Sequence, residues 1–216
     1  MAGFVFADRI RKALKYDGFT AGIVYGPQRL GKSSYASQVL YEIYRNWNTV
    51  LNYTLFDLHD VVNTLQHAIS SGEKIPALNW DDAGVHANKL LYFGDRKLVQ
   101  YLTNLVDVIG VGLGGLIITT PSPNNLLRSL RGYEFYRIKI YRDKLAQRHA
   151  TGYMSNLMPS GMRIIHREFT DYFNVLLPNE FWSEYVPKRK SYLSEALSNL
   201  SQFLDKPKQP IETLVS

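Results

Sequence analysis

The segment Gly26-Pro27-Gln28-Arg29-Leu30-Gly31-Lys32-Ser33 meets the spacing G-x-x-x-x-G-K-[ST] at every specified position. Those residue types suit one task, the holding of a polyphosphate. Glycines let backbone N–H groups curl around phosphate oxygens, and a helix beginning near Lys32 aims the positive end of its dipole at the same anion. In that arrangement Lys32 neutralises the β and γ phosphates, the Ser33 hydroxyl ligates Mg²⁺, and Ser34 completes the set of binding residues. An apolar, β-branched run precedes the loop and an amphipathic pattern follows it. That is the context the motif needs, as against a bare Gly-rich turn.

A second constellation is Ile75-Pro-Ala-Leu-Asn-Trp-Asp-Asp-Ala-Gly84, a short apolar run that ends on two adjacent carboxylates and a chain-bending glycine. Phosphoryl chemistry at a phosphate loop calls for an acid on a neighbouring strand to hold the metal shell, and for a base to polarise the attacking water. Asp81 suits the first role and Asp82 the second. The same pair also suits a polar turn or helix start before Ala83-Gly84. Asp57, Asp60 and Asp107 are rivals by type, but each falls in a segment of helical period, which points to solvated helix faces.

Strands and helices must alternate to bring these residues together, and the pattern does alternate. Phe19 to Tyr25 reads as a buried strand, Ser33 to Trp47 as a helix, Thr49 to Tyr53 as a second strand and Leu55 to Ser70 as a second helix. Lys74 to Trp80 is a third, weaker strand. Leu98 to Ile109 has helical spacing, and Leu116 to Thr120 is an apolar strand stopped by Pro121. This predicts an α/β fold with a mostly parallel central sheet, running to about residue 143. Beyond it, strand-like runs at 133–141, 163–166 and 172–177 predict a β-rich antiparallel extension, and Pro187 to Leu204 a final helix. The expected organisation is a core at 1–143, an extension and helix at 144–204 packed on it, and a loose tail at 205–216.

The chain has 216 residues, no cysteine and a formal charge of +6. Disulfide, zinc-thiolate and thiol-nucleophile chemistry are thereby excluded, and an anionic partner is favoured. No apolar run is long and unbroken enough for a membrane span, so a cytoplasmic protein without membrane insertion is expected.

The acid pair resembles the Walker B element of the P-loop ATPases that insert an additional strand beside the P-loop strand, in which an apolar run ends in Asp-Glu. Here the second acid is Asp, one methylene shorter. Leu116-Ile-Ile-Thr-Thr-Pro-Ser-Pro-Asn-Asn-Leu-Leu-Arg-Ser-Leu-Arg-Gly132, with Tyr133 to Ile140 after it, is similar to the AAA+ run in which a polar residue ends a strand and an arginine follows on a short helix. The resemblance implies that Thr120, or as second choice Thr119, senses the γ-phosphate. It also implies that Arg131, or as second choice Arg128, reaches the nucleotide of an adjacent subunit. Both arginines equally suit a plain basic surface. The similarity spans roughly residues 18–142 and lacks the typical AAA+ helical lid. The β-rich extension looks also like that of viral, phage and plasmid ATPases of the FtsK, HerA and Zot-type class. Implied in turn are a three-layer α/β/α P-loop NTPase fold, ATP and Mg²⁺ as cofactors, and a self-assembled ring, a hexamer.

Positive charge concentrates between Arg128 and Arg167. In Tyr136-Arg-Ile-Lys-Ile140, alternation turns Ile138 and Ile140 one way and Arg137 and Lys139 the other. With Arg142, Lys144 and Arg148, and with Tyr133, Tyr136, Tyr141 and Tyr153 interleaved, this suits sequence-independent contact with nucleic acid, DNA in particular. It also fits a solvated sheet face. The Pro187-Lys-Arg-Lys190 cluster fits a charged first helical turn better than a nucleic-acid site. The leading expectation is an ATPase ring that moves or remodels DNA. A nucleotide-switched assembly protein and a small nucleotide phosphotransferase are the alternatives, while a GTPase is disfavoured because Asn88-Lys-Leu-Leu91 fails the N-K-x-D pattern at its last position.

Overall fold

The computed structural model describes residues 3–83, 96–126 and 128–205. Gly84, the Asn88-Lys-Leu-Leu91 segment and the expected tail past residue 205 lie outside the described residues. The chain runs α1 (Val5–Lys15), β1 (Thr20–Tyr25), α2 (Lys32–Tyr44), α3 (Trp47–Asn52), β2 (Thr54–Leu55), α4 (Leu58–Ser71), β3 (Leu78–Trp80) and α5 (Arg96–Val108). It continues with β4 (Gly115–Thr120), α6 (Arg128–Gly132), β5 (Tyr136–Arg142), β6 (Arg148–Leu157), β7 (Arg163–Phe173) and α7 (Asn179–Asp205).

All the described strands join one sheet in the order β2-β3-β4-β1-β5-β6-β7. The strands from β2 to β5 pair in parallel, and β6 and β7 extend the same sheet antiparallel. Alternation along the central strands sends successive side chains to opposite layers. Ile117 joins Phe6, Tyr35, Val39, Leu40, Ile138 and Phe181 under α1, α2, α3 and α7. Ile118 joins Leu65, Leu78, Trp80, Val106 and Leu130 under α4, α5 and α6. With apolar layers on both faces, β4 is buried along its whole length, and so its sequence is continuously apolar until the threonines. The three-layer α/β architecture with a mostly parallel sheet is as expected. Among the described residues, no helix is long and apolar enough to cross a membrane.

Three local expectations are corrected. Thr49 to Tyr53 does not form a strand: Asn46 caps a new helix by accepting from the Thr49 N–H at 3.0 Å, and only Thr54 and Leu55 pair in the sheet. The cap and the burial of Val50 against the core outweigh the β preference of Thr49 and Val50. In the antiparallel region β6 was not anticipated, and the two runs expected at 163–166 and 172–177 are one strand, β7. Most of 163–168 is exposed, with no alternating apolar signal to read. Finally, α7 begins at Asn179 and carries Pro187 in its interior. Proline usually marks a helix start, and here the helix forgoes one internal hydrogen bond instead.

Candidate functional site

The phosphate loop leaves the end of β1 and enters α2 at Lys32. Gly26 has φ +151°, and a Cβ there would lie 2.6 Å from the Ile140 carbonyl oxygen; Gly31 caps α2 at φ +99°, pressed against Val175 and Phe173. Neither position admits a side chain without displacing the loop. The Lys32 ammonium is buried and donates to the carbonyls of Gly26 at 3.1 Å and Pro27 at 3.0 Å. Burial lowers its pKa, while the nearby carboxylates of Asp82 and Asp81 pull the other way.

Asp81 follows β3 and is fully buried. Its Oδ1 accepts from the Ser33 hydroxyl at 3.1 Å and from the Thr119 hydroxyl, and its Oδ2 accepts from the Tyr185 hydroxyl at 2.5 Å. Burial raises the Asp81 pKa and the neighbouring Asp82 raises it further, against the pull of the Thr119 and Tyr185 hydroxyls. Asp82 stands in the left-handed region at φ 53°, a conformation Asp tolerates better than most residues. Its N–H donates to Thr119 Oγ1 at 2.8 Å, which turns the carboxylate toward α7. There Oδ2 accepts from Arg189 Nε at 2.9 Å and Nη2 at 2.6 Å.

Strand order explains this meeting. β4 lies between β1 and β3, so the ends of three adjacent parallel strands deliver the loop, Thr119 and the acid pair to one edge of the sheet. This α/β arrangement, a mostly parallel sheet with helices on both faces, is consistent with the P-loop NTPase fold. The P-loop opens into a cavity of about 710 Å³ lined by Gln28, Arg29, Gly31, Lys32, Ser33, Ser34, Asp82, Pro121, Asn125, Arg148, Val175, Trp182, Tyr185, Arg189 and Leu193. Its size is that of a small-molecule site. A second cavity of about 490 Å³, at the C-terminal end of α4 beside His67, Glu73 and Lys74, holds none of the motif residues.

Of the two threonines, it is Thr119 that meets Asp81. Thr120, the first choice from the sequence, donates to the Ser122 carbonyl at 3.0 Å on the opposite side of the strand. We expect Thr119→Val to destabilise the protein by about 1–3 kcal/mol, since two buried polar groups lose their partner, and Thr120→Val by about 0.5–1.5 kcal/mol. Urea unfolding measures both, and equal losses would contradict the placement.

Arg131 Nη1 donates to Asn124 Oδ1 at 3.2 Å, one residue from the cavity-lining Asn125, while Arg131 itself does not line the cavity. The Arg128 side chain lies outside the described residues. On β5, Ile138 and Ile140 are buried, Lys139 is exposed and Arg137 is half-buried, donating to the Arg131 carbonyl. Arg142 and Lys144 are exposed. Arg148 departs from that ribbon and lines the P-loop cavity. Of the interleaved tyrosines, Tyr136 packs into the core on Phe6 and Phe169, whereas Tyr141 stacks on His149. The rival acids stay away from the site: Asp57 caps α4, Asp60 sits in its first turn, and Asp107 accepts from Tyr133.

Tyr185, Arg189 and Trp182 were missed. They belong to α7, about a hundred residues beyond the acids, and the only local signal was the basic cluster at 187–190. Lys188 of that cluster also points inward, donating to the carbonyls of Leu51 at 3.2 Å and Thr54 at 2.9 Å.

No family model matches the chain. Similar proteins include the uncharacterized protein B-251 of Sulfolobus spindle-shape virus 1, 28% identical over 213 residues that cover 91% of this chain and 84% of that one. The uncharacterized protein ORF286 of Acidianus two-tailed virus is 29% identical over 165 residues, 75% of this chain, which spans 58% of that protein's length. Among solved structures, the KaiC-like protein PH0186 from Pyrococcus horikoshii OT3 aligns over 69% of this chain and 91% of its own at 14% identity, with a TM-score of 0.35. So loose a likeness bears on nothing further.

Proposed function

We propose that this chain binds ATP with Mg²⁺ at the P-loop and hydrolyses it, as a member of the additional-strand class, in a ring of identical subunits that acts on DNA. The observation that carries the nucleotide reading is the convergence of Lys32, Ser33 and Asp82 on the lining of one cavity, with the buried Asp81 and Thr119 joined to Ser33 behind it. A hard divalent cation fits the donors present: a buried carboxylate whose hydrogen-bond donors are all hydroxyls, and the Ser33 oxygen 3.1 Å from it. Mg²⁺ is a metal held by one or two protein oxygens with phosphates and water. When bound, Mg²⁺ neutralises charge developing on the β and γ phosphates.

The chain's own groups divide the remaining work. The P-loop N–H groups and the α2 N-terminus orient the phosphates, and Lys32 exchanges its loop carbonyls for phosphate oxygens. Thr119 holds Asp81 and the Asp82 backbone in place. Asp82 orients and deprotonates the attacking water through the oxygen that Arg189 leaves free. Arg131 on α6 is the residue we assign to the neighbouring subunit's nucleotide, with Arg128 as its alternate. DNA contact falls to Arg137, Lys139, Arg142 and Lys144 on the β5 side.

Turnover with and without single- and double-stranded DNA tests this reading. DNA is expected to raise phosphate release, and the stimulation should fall steeply between about 50 and 200 mM salt, as phosphate-backbone contact requires. Release indifferent to DNA would discard the DNA motor, and rapid transfer to a nucleoside monophosphate would replace it by a kinase. A second reading, a nucleotide-gated assembly switch with slow turnover, draws on one observation: Asp82 is engaged by Arg189 and is one methylene shorter than the Glu its role usually employs.

A further inference from the structure

Arg148 opens β6, in the antiparallel part of the sheet, yet it lines the P-loop cavity. In the strand register it stands opposite Phe173. The Phe173 ring in turn presses on Gly31, the residue that caps α2, and would lie 3.1 Å from a Cβ built there. The antiparallel hairpin therefore reaches the phosphate loop itself, through a chain of direct contacts.

Four cations line the cavity: Arg29 is exposed on the loop, and the other three differ in how they are satisfied. Lys32 is held by the Gly26 and Pro27 carbonyls, and Arg189 is held by Asp82. The Nε of Arg148 is shut away from solvent and has no hydrogen-bond partner among the described residues. Buried donors are nearly always paired, so an unpaired guanidinium N–H on a side chain that lines a cavity needs a reason. The cavity is lined by Arg29, Lys32, Arg148 and Arg189 against one carboxylate, Asp82, and ends on a helix N-terminus, so an anion toward which the Arg148 side chain turns supplies that reason.

Sheet order decides which part of the anion. Asp81 and Asp82 follow β3, two strands from β1 on one side, while Arg148 begins β6, two strands from β1 on the other. The acids and Ser33 belong with the β and γ phosphates. Arg148 faces the loop from the opposite flank, where the phosphate nearest the nucleoside must leave it.

We propose that Arg148 is a nucleotide-binding residue that grips the nucleoside-side phosphate of a bound nucleoside di- or triphosphate. It rests on the reading of the cavity as a nucleotide site, and it withdraws Arg148 from the DNA surface. Because ADP and ATP share that phosphate, Arg148 strengthens the binding of both alike and does not discriminate between them.

The test is calorimetric titration of the full chain, as wild type, Arg148→Ala and Arg148→Lys, with Mg-ADP and with a non-hydrolysable Mg-ATP analogue. DNA affinity is measured alongside. Arg148→Ala is expected to weaken both nucleotides about tenfold or more, the worth of one charge-assisted hydrogen bond. Arg148→Lys should fall between, keeping the charge and losing the fork, and DNA affinity should stay within twofold. Arg148 Nε makes no hydrogen bond in the fold, so thermal unfolding of the lysine variant, which keeps the aliphatic stem, should match wild type and guards against a folding defect in the alanine one. Unchanged nucleotide affinity in Arg148→Ala, a loss confined to the ATP analogue, or a loss confined to DNA would each overturn the assignment while leaving the nucleotide site standing. Failure of wild type itself to bind either nucleotide would overturn both.

Discussion

Replacing Lys32 by alanine is expected to abolish measurable nucleotide binding, weakening it at least a hundredfold. The charge sits at the mouth of α2 within reach of two carboxylates, whose proximity acts against the desolvation that lowers its pKa. Take the ammonium away and the cavity keeps Asp82, and Asp81 behind it, facing an incoming polyphosphate with less positive charge to offset them. Each charge-assisted hydrogen bond to a phosphate oxygen is worth about 1.5–3 kcal/mol, so two lost bonds alone reach that factor. The Gly26 and Pro27 carbonyls that the ammonium engages are at the loop and can take water instead, so the fold should survive. Calorimetry with Mg-ADP on a variant shown to unfold at the wild-type temperature is the measurement. Binding within threefold of wild type would mean that the P-loop pattern here is not a phosphate site.

Asp82→Asn is expected to leave nucleotide binding intact and to slow hydrolysis at least about tenfold, the lower range for a positioned base. The amide keeps the size and the backbone contact to Thr119, so the left-handed turn that aims the side chain persists. What it loses is the capacity to take a proton. It also loses the ion pair with Arg189, whose side chain is 42% exposed against 14% for Asp82. Solvent screening holds such a pair to about 1 kcal/mol, so the stability loss should be small beside the loss in rate. Quenched-flow single turnover separates the chemical step from product release. Normal single-turnover rates in Asp82→Asn would place the base elsewhere. A wild type that is already slow, and slowed no further by the substitution, would favour the switch, with Arg189 holding the short carboxylate out of use.

The two constellations that carry chemistry were legible because each is local. Gly26, Gly31, Lys32 and Ser33 lie within one turn-and-helix start, and Asp81 and Asp82 share one strand end. Backbone geometry ties those residue types to those spacings wherever they occur. β4 was legible too, as a continuous apolar run stopped by Pro121. Which of Thr119 and Thr120 faces the acids was not, because that depends on which layer α2 occupies. α3 was misread where a side-chain cap and burial overruled propensity, and β6 because most of the adjoining part of β7 buries nothing on either face.

The sequence by itself determined the P-loop, the acid pair and the mostly parallel α/β frame. Only the tertiary structure decided their company: Thr119 and Tyr185 on Asp81, Arg189 on Asp82 and Arg148 on the wall of the P-loop cavity. Periodicity reports what a residue's near neighbours impose, whereas the hydrogen bonds to the acid pair from Thr119, Tyr185 and Arg189 join positions separated by 38 to 107 residues. They exist because the packing of α7 and the order of the strands bring those side chains to one edge of the sheet.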